Sequence, residues 1–296
     1  MANRDYKGVY PPMLTPFTHE GDVDYRKFER NMAKWNDANL AGYLVLGSNS
    51  ETAYLTENEK VELMKIAKRT ATPGRKLLVG TGTDCERDTI ARNNIAAEMG
   101  YDAALVLTPC YYTGSMNAAA LIRYFTHVAD KSELPVMIYN VPKFTHVNIT
   151  ADALSVLVQH PNIIGMKDST GDIPQMATWL RIVPEDFALF VGTASAWFPA
   201  LCMGVRSAIL ALANTHPNEC AAVQAAYDKG DLAESLATYQ RVFPVNTAIT
   251  GTYGIPGLKV AADLMGYEGG FVRSPLGDLT EQQKSDLATI VNRARV

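Results

Sequence analysis

Short apolar runs and longer helical stretches alternate eight times along this chain, and few architectures can absorb such a pattern. The runs occupy residues 9–16, 42–48, 76–82, 103–109, 135–142, 163–169, 187–193 and 207–213. Each is near-continuous in Val, Leu, Ile and Ala, without polar alternation, as a strand buried on both faces reads. Amphipathic stretches near 25–38, 56–71, 86–99, 118–131, 150–159, 173–183 and 196–203 lie between them. A helix between successive strands supplies the crossover that parallel neighbours require. Eight such units close into a (β/α)8 TIM barrel. A doubly wound open sheet competes, but no GxGxxG turn follows the first run, which counts modestly against it.

Helix starts carry recognisable caps. Thr56-Glu57-Asn58-Glu59 is a capping box, and Thr150-Ala151-Asp152 a weaker version of the same signal. Beyond the eighth run the pattern is wholly helical, near 217–229, 231–247, 257–265 and 281–294. That is more helix than one barrel needs. The expected α/β arrangement is a barrel over residues 1–215 with additional C-terminal helices, residues 216–296, packed on it.

Composition excludes several partners. With 27 Lys and Arg against 31 Asp and Glu, the formal charge is −4, so no phosphate backbone would be neutralised and no nucleic acid is expected. Cys85, Cys110, Cys202 and Cys220 are widely spaced with no CxxC pair, which fits a reducing compartment. Residues 1–10 lack an apolar signal segment, and no run approaches the length of a membrane span. The expectation is a soluble cytoplasmic protein without a membrane partner.

Catalytic groups of a barrel project from the C-terminal ends of its strands. There the sixth run reads Gly165-Met166-Lys167-Asp168-Ser169, and a lysine in so apolar a strand is costly unless paired. Desolvation favours the neutral amine, which attacks a carbonyl to give a Schiff base. The competing reading pairs Lys167 with Asp168 or turns it to solvent. The fifth run ends Tyr139-Asn140-Val141-Pro142, and a phenol on the adjacent strand can move protons for that chemistry. By default, though, a buried tyrosine is a core residue with its hydroxyl tied up.

The second run ends Gly47-Ser48-Asn49-Ser50-Glu51, donors able to hold a carboxylate, though such a string is more often an ordinary turn or cap. The fourth runs into Cys110-Tyr111-Tyr112, and Gly192-Thr193-Ala194-Ser195 after the seventh could hold an anion. Without a flanking Lys or Arg, that anion is a carboxylate sooner than a phosphate. The histidines (His19, His127, His146, His160, His216) form no metal-binding spacing, and no GxSxG or GxxxxGK[ST] motif occurs.

Taken together, GSNSE at 47–51, TPCYY at 108–112, YNVP at 139–142 and GMKDS at 165–169 resemble the dihydrodipicolinate synthase / N-acetylneuraminate lyase family. The resemblance spans essentially the whole chain, from Gly8-Val9-Tyr10 to Gly254-Ile255-Pro256-Gly257-Leu258-Lys259. It implies a pyruvate-dependent class I aldolase, a lyase that assembles as a homotetramer or dimer of dimers. By that similarity Lys167 forms the Schiff base and Tyr139 transfers protons. Ser48 and Asn49 hold the pyruvyl carboxylate, with Ser48 also relaying protons, and Tyr111, or Tyr112, reaches a neighbouring subunit's site. Ser169, Gly192 and Thr193 complete the expected substrate-binding set.

Within the family, the Gly-Ser-Asn turn, TPCYY, GMKDS and GIPGLK are most similar to 4-hydroxy-2-oxoglutarate aldolase. Phe144 stands where synthases carry an arginine, and losing that bidentate carboxylate clamp counts against synthase activity. His146 and Ser50 replace expected glycines beside the pocket.

The leading expectation is therefore reversible cleavage of a 4-hydroxy-2-oxo acid, 4-hydroxy-2-oxoglutarate above all, to pyruvate and an aldehyde such as glyoxylate. It requires no metal and no organic cofactor. Alternatives are a 2-keto-3-deoxy sugar-acid aldolase or dehydratase, dihydrodipicolinate synthase itself, or, in another class, a non-catalytic carboxylate-binding regulatory barrel.

Overall fold

A computed structural model describes residues 5–295. Its strands are β1 (Gly8–Tyr10), β2 (Gly42–Val45), β3 (Lys76–Gly80), β4 (Ala103–Leu107), β5 (Val136–Asn140), β6 (Ile163–Asp168), β7 (Ala188–Val191) and β8 (Ser207–Ile209). They form one eight-stranded sheet in the order β1-β8-β7-β6-β5-β4-β3-β2. The ladders from β3 to β8 are parallel. A parallel bridge between Pro12 and Leu44 joins the two ends of that order. The fold is a (β/α)8 barrel with additional C-terminal helices, as the eightfold alternation requires.

The helices are α1 (Tyr25–Asn36), α2 (Glu57–Thr70), α3 (Glu86–Glu98), α4 (Ala118–Lys131), α5 (Pro142–Thr145), α6 (Ala151–Leu157), α7 (Ile173–Leu180), α8 (Trp197–Cys202), α9 (Pro217–Asp228), α10 (Leu232–Thr247), α11 (Gly254–Leu264) and α12 (Glu281–Ala294). The Thr56 capping box forms: Thr56 N–H donates to Glu59 Oε2 at 2.8 Å and Glu59 N–H to Thr56 Oγ1 at 3.4 Å. Thr280 and Gln283 repeat the device before α12. Among the described residues, no helix is long and apolar enough to cross a membrane. The four cysteines are free thiols.

Strands are shorter than the apolar runs that announce them. The run at 9–16 yields only β1, because Pro11, Pro12 and Pro16 have no N–H to continue a ladder. The run at 207–213 stops at Ile209 and turns into a tight helical segment, Ala211–Asn214. The short helix α5, started by Pro142 at its first position, falls inside what reads as a connecting loop.

Chain contacts divide the molecule into two compact units: Lys76–Ala208 with the segment ending at Lys7, and Gly8–Arg75 with the segment from Ile209 onward. In the first, β3 to β7 are lined by fully buried Leu78, Val79, Val106, Ile138, Met166 and Phe190. In the second, Asn214 is the polar knot. Its Oδ1 accepts from Leu14 N–H, its Nδ2 donates to the Pro12 carbonyl, and its own carbonyl accepts from the Trp35 indole. Past the short β1, the Pro12 carbonyl and the Leu14 N–H are backbone groups that this buried carboxamide satisfies.

Candidate active site

The β5–β6 ladder places Tyr139 opposite Lys167 and Asn140 opposite Asp168. Side chains alternate along a strand, so Lys167 and Asp168 face opposite sides of the sheet. Lys167 is 4% exposed. Its Nζ lies 4.2 Å from the centre of the Tyr139 ring, over the electron-rich face. Asp168 is engaged elsewhere: Thr170 Oγ1 donates to its Oδ2 at 2.5 Å, while Thr170 N–H and Asn140 Nδ2 donate to its Oδ1 at 3.2 and 3.0 Å. Among the described residues no carboxylate is within ion-pair distance of Lys167, so the reading that pairs it with Asp168 is set aside. What remains is a buried, unpaired primary amine against a phenol, an arrangement suited to attack on a carbonyl carbon.

Burial pushes the Asp168 carboxyl above the usual carboxylate range, against the hydrogen bonds from Thr170 and Asn140. Asn140 is fully buried and fully used. Besides Asp168, its Nδ2 donates to Asn148 Oδ1 at 2.8 Å, and its Oδ1 accepts from Ile149 N–H at 3.0 Å. Asn148 passes the connection on to Gln175 Oε1 at 2.7 Å. This chain of amides pins β5 to β6 behind the Lys167–Tyr139 face. Sequence reasoning missed it, although Asn140 and Asp168 sit within the motifs that named Tyr139 and Lys167.

Ser169, Gly192 and Thr193 gather at the ends of β6 and β7. Gly192 N–H donates to the Asp168 carbonyl at 2.6 Å, and Ser169 Oγ donates to the Gly192 carbonyl at 3.4 Å. A Cβ at position 192 would lie 2.1 Å from Ser169 Oγ and 2.7 Å from the Asp168 carbonyl oxygen, so only glycine fits. Thr193 Oγ1 and Ser195 Oγ are 2.8 Å apart and satisfy one another. Tyr111 stands 78% exposed on the loop after β4, its ring edge-to-face with Tyr112 at 5.0 Å between centroids. Asp84 Oδ1 holds that loop by accepting from Cys110 and Tyr111 N–H at 2.6 and 2.7 Å. Phe144 is 57% exposed on α5, and His146 closes that helix with φ +53°. That left-handed backbone is one a glycine, as the resemblance led one to expect there, would adopt without strain.

In the second unit, Ser48–Ser50 forms one helical turn after β2. It is bounded by two left-handed non-glycine residues, Leu46 at φ +58° and Glu51 at φ +54°. Each costs roughly 1–3 kcal/mol, strain that only over-determined surroundings hold in place. Ser50, where a glycine was expected, is buried and donates to the Met13 carbonyl at 2.5 Å. Asn49 Nδ2 is buried with no hydrogen-bond partner. A buried unpaired donor is expensive, and a bound acceptor would relieve that cost. Glu51 is buried against Lys259, a second lysine to which sequence reasoning gave no role although it lies in the GIPGLK string. The signal available was its position inside an apolar helical stretch, the logic that exposed Lys167.

A barrel whose sixth strand carries an unpaired lysine against a fifth-strand phenol defines a class, the lyases that work through an imine. Within it, the pattern of the dihydrodipicolinate synthetase family matches residues 5–294, and the chain belongs to that family of pyruvate-dependent class I lyases. The chain is 32% identical over 291 residues to 4-hydroxy-tetrahydrodipicolinate synthase of Macrococcus caseolyticus, covering 98% of this chain and 97% of that protein. Among solved structures, the prophage protein YagE of E. coli K12, of the dihydrodipicolinic acid synthase family and in complex with pyruvate, superposes with a TM-score of 0.92. Identity there is 28%, covering 98% of this chain and 99% of that one. A dihydrodipicolinate synthase of Bacillus anthracis gives the same TM-score at 26% identity, over 97% of this chain and 98% of that one.

These similarities correct the expected likeness to 4-hydroxy-2-oxoglutarate aldolase, and with it the expected cleavage of 4-hydroxy-2-oxoglutarate to pyruvate and glyoxylate. The subgroup likeness rested on a few short strings at strand ends. Loops there vary most freely, whereas the relatives match along nearly the whole chain. Membership of a catalytic family also sets aside the non-catalytic regulatory barrel.

Proposed function

We propose that the chain condenses pyruvate with L-aspartate semialdehyde, the reaction of a 4-hydroxy-tetrahydrodipicolinate synthase. The observation that carries the chemistry is Lys167, buried and unpaired over the Tyr139 ring. Its amine adds to C2 of pyruvate, and the carbinolamine loses water to give a protonated imine. That imine is the electron sink for loss of a C3 proton, and the resulting enamine attacks the aldehyde carbon. The semialdehyde's own amine then adds to the regenerated imine carbon and expels the Lys167 amine, closing the product ring. Tyr139 carries the protons to and from the carbinolamine oxygen and the new alkoxide, with Ser48 and Tyr111 as relays. Ser48 and Asn49 take the pyruvyl carboxylate, a role supported by the unsatisfied Asn49 amide. Ser169, Gly192 and Thr193 border the acceptor. The working form is a cytoplasmic homotetramer in which Tyr111 serves a neighbouring subunit.

Phe144 favours a second reading. An exposed ring where a guanidinium would clamp a carboxylate suits an acceptor without one, as in a 2-keto-3-deoxy sugar-acid aldolase or dehydratase. Comparing product formation from pyruvate with aspartate semialdehyde and with glyceraldehyde separates the two. Faster turnover of aspartate semialdehyde supports the synthase; turnover of glyceraldehyde alone overturns it.

A further inference from the structure

None of the steps above uses the buried ion pair between Glu51 and Lys259. Lys259 Nζ lies 2.5 Å from Glu51 Oε1, with the side chains 2% and 1% exposed respectively. The same ammonium donates to the Phe271 carbonyl at 2.5 Å and sits 4.4 Å from the centre of the Phe17 ring. Glu51 Oε2 accepts from Arg273 N–H at 2.9 Å. Arg273 in turn stacks on the other contact of that site, the Phe17 ring at 4.4 Å, and grips Glu59 through two nitrogens at 2.8 and 2.6 Å. A buried ion pair is weak evidence for stability, because desolvating both charges offsets their attraction. A use in positioning accounts for it better.

Its placement names what is positioned. Glu51 is the left-handed residue that ends the Ser48–Ser50 turn, and its side chain is the anchor opposing relaxation of that strained backbone. At the other end of the pair, Lys259 belongs to α11, so a long helix fixes the anchor. Inside the turn sits the buried Asn49 amide with no partner.

We infer that Glu51 and Lys259 are positioning residues that hold the Ser48–Asn49 turn in the conformation that receives the pyruvate carboxylate. The inference rests on the imine chemistry proposed above. It also gives the site a proton-sensitive prop. Burial lowers Lys259 to about 8, against Glu51, which favours the ammonium. Asp278 adds to that support and Arg273 opposes it, while Asp263 is the charged neighbour on the same helix. Above that pH the ammonium is lost and the anchor loosens.

The test is borohydride trapping of the pyruvate imine at Lys167, titrated with pyruvate, in wild type, Lys259→Met, Glu51→Gln and Lys259→Arg. Near-ultraviolet circular dichroism reports which variants fold. Half-saturating pyruvate is expected to rise about tenfold or more in Lys259→Met and Glu51→Gln, with the same final yield of adduct, and to stay within about threefold in Lys259→Arg. In wild type, that concentration is expected to climb above pH 8 relative to Lys259→Arg, whose guanidinium keeps its charge there. Equal half-saturation in all folded proteins, together with a pH-independent ratio, overturns the inference. No adduct in wild type overturns the imine chemistry instead, so the two failures are distinguishable.

Discussion

In the proposed mechanism Lys167 and Tyr139 divide the chemistry between them, and the division is testable. If the phenol carries protons while the amine makes the bond, Tyr139→Phe should leave half-saturating pyruvate for imine formation within about threefold of wild type. Turnover, by contrast, should fall by about 10²–10⁴, the usual weight of a positioned acid–base group. Equal losses in both measurements would make Tyr139 a packing residue. His146 makes a separate point about stability. Its φ of +53° is strained for any side chain, and its ring is exposed, so His146→Gly removes strain and no packing. Chemical denaturation is expected to show a gain of about 0.5–1 kcal/mol, reduced from the full strain by the flexibility glycine adds to the unfolded chain. Lys167 was legible in the sequence because a lysine inside an apolar strand contradicts its surroundings. Lys259 carried the same contradiction within the apolar string Gly254–Ala262, but it lies on a C-terminal helix, away from the strand ends where a barrel's catalytic groups are sought.

At the level of elements, the β5–β6 ladder is held by the Asn140–Asp168 contact, which fixes where Lys167 meets the Tyr139 ring. Asn140→Ala leaves the Asp168 carboxylate and Ile149 N–H short of partners, at a cost of about 1–3 kcal/mol in denaturant unfolding. Turnover should fall further than that destabilisation explains, since most molecules remain folded. Helix α2 makes a prediction about acid. The Arg273 guanidinium, aided by the Thr56 cap, holds Glu59 down to about 2 from 4.5. A carboxyl lowered on folding stabilises fully above its unfolded value and loses that contribution as pH falls towards its folded one. Glu59→Gln should therefore be less stable than wild type at pH 7 by about 1.5–3 kcal/mol, the worth of a charged hydrogen bond. The gap should close between pH 4.5 and pH 2; a pH-independent gap would mean that the contact acts through packing. The Thr56 cap was readable from four consecutive residues. Its link to Arg273 was not, because 214 positions separate the partners.

For the whole molecule, eightfold alternation was enough to read the barrel, since parallel strands with helical crossovers have few closures. Strand ends were not, because apolar character continues past the last hydrogen bond wherever a proline or a tight turn intervenes, as at Pro11 and Ala211. The division into Lys76–Ala208 and the flanking segments was also hidden, since it joins residues from both ends of the chain. Four short motifs sufficed for the family but misled on the subgroup, where similarity along the full length outweighs loop strings. Assembly belongs to this scale too. If Tyr111 serves a neighbouring subunit, sedimentation should show wild type as a tetramer and Tyr111→Ala with reduced turnover whether or not it dissociates; full activity in a monomer would remove that role. The central claim is that Lys167 is the imine-forming residue, and borohydride reduction in the presence of pyruvate, followed by peptide mass mapping, tests it directly. A single reduced pyruvyl adduct on Lys167, absent in Lys167→Ala, is the expected result. Adduct on another lysine, or none in the wild-type protein, would contradict it.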